Sequence, residues 1–292
     1  MAARPSLREL LLGVEGLALL RLASSDDLEA RRSRVEEIRG LVGAGGGGAE
    51  LDGPVYGAEH DLASGYRRWS ETYDAPLRLF GLEEPVMHRL FASLPPHALD
   101  GGQRAPSRVL DAACGTGRHG AYLAERGHRI VGVDRSPEML ERARRKIPAG
   151  EFRVGDLEAL PLYAGSVDAA VCALALVHLP DVTAAVRELA RVVRPGGRVI
   201  VSDVHPFPIL LGWQAQFRAA DGAAGFIRIH PHLASDYCRA FAAAGLRIRA
   251  CEEPLLTPES AVTPAAGPLP DANRAAFAGL PGVIVWDLEK TA

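Results

Sequence analysis

The residues best suited to chemistry lie in a glycine-rich segment near the middle of the chain. Residues 109–120 read VLDAACGTGRHG, in which an apolar strand leads into a turn and then into a helix. Gly115 and Gly117 have no Cβ, so the backbone at this turn can pass close to a bound ligand. Asp134 ends the next predicted strand, where its carboxylate can accept hydrogen bonds from both hydroxyls of a ribose. The segment therefore predicts a site for a ribose-containing ligand.

Two kinds of ligand fit this pattern. A Gly-x-Gly-x-x-Gly turn followed by an acid about 20 residues later is typical of dinucleotide-binding proteins. In those proteins the first glycine follows the strand almost at once, and a pyrophosphate lies on the helix N-terminus. Here Asp111 ends the strand well before Gly115. A carboxylate is a poor neighbour for a pyrophosphate but a good partner for the amino group of a methionine moiety. A second segment, Gly155-Asp156-Leu157, also separates the two interpretations.

Taken in order, these segments resemble the class I S-adenosylmethionine (SAM)-dependent methyltransferases. The nearest branch is that of the ubiquinone/menaquinone-type and natural-product small-molecule enzymes. The resemblance covers roughly residues 64–205 and includes the segments 172–179 and 189–197. It implies SAM as the cofactor, S-adenosylhomocysteine (SAH) as the product and a small-molecule acceptor. The implied cofactor-binding residues are Tyr66, Trp69, Tyr73, Asp111, Ala113, Gly115, Thr116, Gly117, Asp134, Arg135, Met139, Gly155, Asp156, Leu157, Ala173 and Leu174.

The resemblance gives these residues different roles. Asp111 and the two glycines match the loop around the methionine and ribose, and Asp134 matches the ribose-binding acid. Asp156 and Leu157 match the contacts to adenine. Residues 66–74 resemble the N-terminal segment that folds over SAM, although their aromatic side chains also fit a core stripe on a helix. The alternatives are an NAD(P)-dependent oxidoreductase and a non-catalytic partner protein with the SAM fold.

The elements that position these residues predict an α/β, Rossmann-like class I methyltransferase fold. We expect a seven-stranded, mostly parallel sheet with an N-terminal helical extension. The predicted domains are residues 1–50 (helical extension and glycine-rich linker), 51–104 (helical cofactor and substrate cap) and 105–292 (SAM-binding domain with acceptor-side insertions at 204–231 and 252–281). The predicted helices are 5–23, 26–42, 59–94 with breaks near Pro76 and Pro85, 117–126, 137–147, 181–193 and 233–244. The predicted strands are 108–112, 129–133, 151–154, 167–174, 198–203, 246–251 and 282–288.

Methyl transfer from a sulfonium is an in-line displacement and needs no covalent enzyme intermediate. A general base adds about 10²–10⁴-fold where the acceptor carries a proton. Our candidates are His205, His178, His230 and Tyr237. His230 and the nearby His232 could form a metal pair, but no carboxylate lies at helical spacing to complete it, and we expect no metal site.

The aromatic side chains that follow the fifth strand favour an aromatic or apolar acceptor of the secondary-metabolite type, and they also fit simple packing of a lid. They are Phe207, Trp213, Phe217 and Phe226. Whether carbon, oxygen or nitrogen is methylated stays open. Residues 1–50 could cap the pocket or mediate a homodimer through their helices.

Composition narrows the range of partners. The chain has 292 residues and a formal net charge of −3, and its arginines are spread out and balanced by acids. We therefore expect no nucleic-acid partner. The four cysteines form no C-x-x-C pair, so neither a zinc site nor a disulfide framework is expected. No apolar run is long enough to cross a bilayer, and we expect a cytoplasmic protein without membrane association.

Overall fold

The computed structural model describes residues 5–43, 48–75, 78–94, 97–98 and 104–291. The chain divides into two compact units. An N-terminal unit comprises Met1–Ala58 and Leu255–Leu280, and a sheet unit comprises Glu59–Pro254 and Pro281–Ala292. Residues 44–47 of the predicted linker lie outside the described residues, as does the predicted helix break at Pro76.

The N-terminal unit is helical. It contains α1 (Leu7–Arg21), α2 (Leu28–Val42), α10 (Pro270–Phe277) and the 3-10 helices Ala49–Asp52 and Pro264–Ala266. A capping box starts α1, because the Ser6 hydroxyl accepts from the Glu9 N–H and the Glu9 carboxylate accepts from the Ser6 N–H at 2.7 Å. The cap of α2 is Asp27, whose carboxylate accepts from the Ala30 N–H at 2.9 Å.

The position of α10 differs from the predicted domain division, which placed residues 252–281 in the SAM-binding domain. Within the N-terminal unit, α1 packs against both α2 and α10. The Arg21 guanidinium donates to the Ala276 carbonyl at 2.9 Å. Ala272 and Ala276 of α10 are fully buried, and their small side chains let α1 and α10 approach closely. This contact joins segments far apart in the sequence.

The sheet unit is built on a seven-stranded sheet, which confirms the predicted fold. In the sheet order, its strands are β11 (Leu246–Glu252), β12 (Val283–Lys290), β8 (Val193–Val204), β7 (Val167–Ala173), β4 (Arg108–Ala112), β5 (Arg129–Asp134) and β6 (Glu151–Val154). Only β12 runs antiparallel to its neighbours. Residues 195–197 of the segment 189–197 fall inside β8, where Gly196 adopts a φ of +71°. Nearly every side chain of the central strands is buried, as parallel strands covered on both faces require.

Helices cover both faces of this sheet. They are α4 (Arg78–Ala92), α5 (Arg118–Ala124), α6 (Pro137–Lys146), α7 (Thr183–Val192), α8 (Pro206–Leu210) and α9 (Ala234–Ala243), with a 3-10 turn at Leu176–His178 and a short hairpin of β2 (His97–Ala98) and β3 (Arg104–Ala105). The predicted break near Pro85 is wrong, because α4 continues through it. Pro85 and Gly81 are both exposed, so water can reach the carbonyl that loses its helical partner.

A small cap sits within the sheet unit. It consists of α3 (Leu62–Trp69) and a three-stranded sheet of β1 (Ala58–His60), β10 (Ala224–Ile227) and β9 (Ala215–Arg218). The helical prediction for 59–94 is confirmed for α3 and α4, whereas its start lies in β1, and the insertion predicted at 204–231 contains α8 and the β9–β10 hairpin. Gly222 at φ +82° and the Asp221 carboxylate, which accepts from the Ala223 N–H, close the β9–β10 hairpin. We refer to residues 59–75 and 214–229 as the cap.

Candidate active site

A cavity of about 290 Å³ lies beyond the carboxyl ends of β4, β5 and β7, where open α/β sheets bind their ligands. Most of the predicted cofactor-binding residues line it. These are Tyr66, Tyr73, Ala113, Gly115, Asp134, Arg135, Met139, Gly155, Asp156, Leu157, Ala173 and Leu174. The other four do not line it: Trp69 packs behind the tyrosines, and Asp111, Thr116 and Gly117 support the glycine-rich turn.

The glycine-rich turn is held by the buried carboxylate of Asp111. This carboxylate accepts from the Gly120 N–H at 2.9 Å, and burial raises the pKa of Asp111 to about 6. Gly115 and Gly117 adopt positive φ angles of +52° and +80°. A Cβ on Gly117 would lie 3.2 Å from the Ala143 Cβ, so the turn also packs tightly against α6. The backbone beside the cavity is thus fixed from behind.

Asp134 presents an oriented carboxylate at the end of β5. One oxygen accepts from the Gly115 N–H and the other from the Ser136 N–H, both at 2.8 Å. Burial raises the pKa of Asp134, and these N–H groups oppose the rise. Each carboxylate oxygen has two lone pairs and so keeps one acceptor position after these bonds. The side chain can therefore accept from both hydroxyls of a ribose without releasing the turn.

The far end of the cavity carries a polar pair and apolar walls. Arg135 contacts the Asp156 carboxylate, which also accepts from the Glu158 N–H at 3.1 Å. Burial raises the pKa of Asp156, but these two contacts outweigh it and hold the pKa below its usual value. Met139 and Leu157 line the cavity beside this pair. Such a site can hold a flat ring whose amino group donates to the carboxylate.

Aromatic side chains of the cap close the cavity from the other side. Trp69 stacks on Phe217 with ring centroids 5.6 Å apart and lies 5.0 Å from Tyr73. The Tyr66 hydroxyl lies 2.7 Å from the Nε2 of His178, which follows β7. This hydrogen bond joins the cap to the central sheet. Burial raises the pKa of Tyr73 to about 12 and lowers the pKa of His178 to about 4, so both side chains are neutral at pH 7.

Of the predicted catalytic residues, His178 lines the cavity and the other three lie elsewhere. His205 caps α8, where its Nδ1 accepts from the Phe207 N–H at 3.1 Å and its Nε2 lies 3.0 Å from Glu253. His230 is half-buried, and its backbone N–H donates to the Val177 carbonyl at 2.7 Å.

Tyr237, the third of these residues, is fully buried and donates to the Asp203 carboxylate at 2.7 Å. The aromatic residues after the fifth strand are also dispersed: Phe217 and Phe226 are buried, whereas Phe207 is 51% exposed.

Sequence reasoning missed the groups that brace the turn bearing His178. The Nε2 of buried His232 lies 3.2 Å from the Leu176 carbonyl and 2.8 Å from the Leu179 carbonyl. Since both partners are acceptors, this nitrogen carries the proton and donates. Asp203 is buried close to the same turn. Burial raises its pKa to about 7, and a hydrogen bond from the Val177 N–H opposes the rise. No local pattern marks such residues, because their partners lie far away in the sequence.

A second missed group fastens the segment after α3 to the glycine-rich turn. The Lys146 ammonium donates to Asp74 at 2.7 Å and to the Thr116 hydroxyl at 2.9 Å, and that hydroxyl donates to Asp74 at 2.6 Å. Among the described residues, no group of three or more His, Cys, Asp or Glu side chains could hold a metal ion. No helix in the described ranges is long and apolar enough to cross a membrane.

Comparisons with known proteins agree with this geometry. A family model described as a methyltransferase domain matches residues 110–201. The chain is 34% identical over 141 residues to a malonyl-[acyl-carrier protein] O-methyltransferase of Serratia marcescens, covering 48% of this chain and 51% of that protein. It is 35% identical over 162 residues to a demethylmenaquinone methyltransferase of Beutenbergia cavernae, covering 54% and 65%. The chain thus spans only about half to two thirds of these relatives.

The fold is also found among solved structures. A SAM-dependent methyltransferase from Mesorhizobium loti superposes with a TM-score of 0.53 at 21% identity, covering 72% of this chain and 98% of that one. At this identity the likeness concerns the fold alone.

Proposed function

Because the chain belongs to the class I SAM-dependent methyltransferases, we propose that it transfers the methyl group of SAM to a small apolar or aromatic acceptor. The observation that carries the proposal is the Asp134 carboxylate, held by the Gly115 and Ser136 N–H groups at the wall of the cavity. A ribose-binding acid has to be fixed relative to the turn that it serves, and these two bonds fix it.

Each part of the cavity has a role in this proposal. Asp134 accepts from the ribose hydroxyls, and the Asp156 carboxylate accepts from the adenine amine while Leu157 covers the ring. The glycine-rich turn lets the backbone run beside the methionine moiety, and Tyr73 closes over it; a Cβ on Gly115 would lie only 3.8 Å from the Tyr73 ring. SAM supplies an activated methyl group on a sulfonium, with a good leaving group.

The chain then contributes alignment and the exclusion of water. Holding two reactants in line within a closed pocket supplies roughly 7–11 kcal/mol of the barrier reduction. The cap aromatics and Leu174, Ala175 and Leu179 make the wall around the reacting end largely apolar. This lining supports an apolar or aromatic acceptor, such as those of secondary metabolism. The glycine-rich turn gives no support to an NAD(P)-dependent reaction, because the buried carboxylate of Asp111 lies directly behind the turn where a pyrophosphate would bind.

The proposal is tested by incubating the purified chain with SAM and a set of aromatic and aliphatic acceptors. We expect mass spectrometry to show SAH formed in equal amount to a product heavier by one methylene. Binding of SAM without SAH production from any acceptor in the set would support the non-catalytic alternative instead. The Tyr163→Phe variant is a suitable control, because Tyr163 is 88% exposed and does not line the cavity.

A further inference from the structure

The part of the cavity next to the cap has polar atoms but no free base. Its polar pair is the Tyr66 hydroxyl and the Nε2 of His178, which lie 2.7 Å apart and bond to each other. In the neutral pair one partner donates and the other accepts, so the pair adds hydrogen-bonding atoms and no charge. Leu62, Ala63 and Leu179 line the cavity around it.

The carboxylates that line the cavity are already engaged by the protein. Asp134 accepts from two backbone N–H groups. Glu138 accepts from the Ser136 hydroxyl at 2.9 Å and lies 3.5 Å from the Arg67 guanidinium. Asp156 is paired with Arg135. Partners hold the pKa values of Glu138 and Asp156 below their usual range. In the proposed function Asp134 and Asp156 bind the ribose and the adenine of SAM, so none of the three carboxylates is free to take a proton from a substrate.

The remaining titratable side chains of the lining are also unsuited to taking a proton at neutral pH. Burial lowers the pKa of His178 to about 4, and the nearby His230 adds to the lowering. Burial raises the pKa of Tyr66 well above its usual value and that of Tyr73 to about 12, so neither phenol ionises. The general-base contribution of about 10²–10⁴-fold has no evident source among the described lining residues.

We propose that the acceptor reacts through an oxygen that is already ionised, namely a carboxylate on an apolar scaffold, and that the product is a methyl ester. This inference rests on the proposed methyltransferase function. A carboxylate lone pair forms the new O–C bond, the S–C bond breaks with its electron pair passing to sulfur, and no proton moves. A sulfonium and a carboxylate become a neutral thioether and a neutral ester.

The apolar wall favours this pairing of charges over the other acceptor types. A neutral hydroxyl, or an aromatic carbon bearing hydrogen, has to lose a proton during or after attack. A neutral amine keeps the positive charge in the cavity as an ammonium ion. Reaction of an anion with a cation instead removes both charges. Such a step is the least penalised by poor solvation of charge in a site from which water is excluded. The surroundings of Tyr66 and His178 therefore match an acid anion better than a phenol or an amine.

The test uses the full chain and SAM carrying a labelled methyl group. The acceptors are aryl and alkyl carboxylic acids, phenols and primary amines built on the same scaffolds. Methyl esters release labelled methanol in mild alkali, whereas ethers, methylamines and C-methyl products do not. We expect most of the transferred label to be alkali-labile. Predominantly alkali-stable label would overturn the inference, and so would binding of SAM without transfer to any carboxylic acid. Failure to bind SAM would instead remove the proposed function itself.

The pH profile and one variant give an independent readout. With an acid that is transferred, the rate should be flat between about pH 6 and 9, because the acceptor is ionised throughout and no base is needed. A rate that climbs about tenfold per pH unit would reveal a required proton loss. His178→Gln keeps a hydrogen-bonding partner for Tyr66, and we expect it to lower the rate by less than about tenfold with the same profile. A fall of about 10²–10⁴-fold would identify His178 as a base and refute the inference.

Discussion

The carboxylate of Asp134 gives the sharpest prediction, because the structure fixes both of its oxygens. Each oxygen accepts one backbone N–H at 2.8 Å and keeps one acceptor position for a ribose hydroxyl. Hydrogen bonds to a charged group contribute about 1.5–3 kcal/mol each. Losing two of them at the lower value weakens SAH binding by about 3 kcal/mol, or about 100-fold in Kd, and this is the loss expected for Asp134→Ala.

Asp134→Asn keeps the shape of the side chain but removes its charge and one of its two acceptor oxygens. One amide position becomes an NH2 group, which faces either the Gly115 N–H or the Ser136 N–H, so a donor meets a donor. We therefore expect Asn to weaken SAH binding by about 10- to 100-fold despite its similar shape. Asp181→Asn is the matched control: its exposed carboxylate accepts from the Thr183 N–H at 2.7 Å away from the cavity, and it should stay within about twofold of wild type.

Titration calorimetry with SAH, alongside thermal unfolding to confirm that each variant is folded, measures these effects. If folded Asp134→Ala binds SAH within threefold of wild type, the ribose-binding role of Asp134 is wrong.

Three further predictions concern the cap and the supporting residues. Gly65→Ala places a Cβ 2.4 Å from Ile227 Cγ1, so thermal or denaturant unfolding should show a loss of about 1–3 kcal/mol, and an unchanged stability would contradict the packing of α3 on β10. Burial raises the pKa of Asp203 to about 7, so on raising the pH this carboxyl ionises in the unfolded chain before it ionises in the folded one. Wild type should therefore lose stability relative to Asp203→Asn as the pH rises from about 4 to 7. A stability difference that does not change with pH would disprove this. His232→Leu removes the side-chain donor to the Leu176 and Leu179 carbonyls, so it should cost about 1–3 kcal/mol of stability and weaken SAH binding. His232→Gln, whose amide can still donate, should recover most of both; equal losses would argue against the bond.

Much of the cofactor end of the site could be predicted from the sequence, because its signals are local. The order of strand, turn and helix around Asp111 and Gly115 is written within a dozen residues, Asp134 ends the next strand, and Asp156 closely follows the short strand after it. The parallel sheet then brings the ends of these strands to one edge. Their meeting in one cavity follows from the topology once the strands are recognised.

The remainder depends on contacts between distant parts of the chain. The bonds from Tyr66 to His178 and from Tyr237 to Asp203 join residues whose neighbours carry no shared pattern. His205 follows the fifth strand as predicted, yet its ring caps α8 and contacts Glu253. The β9–β10 hairpin was missed because its strands are only four residues long, although the Asp221-Gly222 pair in its turn is a common hairpin signal.

Binding of SAM in the cavity can be measured by calorimetric titration of the purified chain with SAM and, separately, with NADH and NADPH. We expect micromolar binding of SAM and no measurable heat from either nicotinamide cofactor. Binding of NADH or NADPH without binding of SAM would contradict this expectation, and the glycine-rich turn would then be a dinucleotide site.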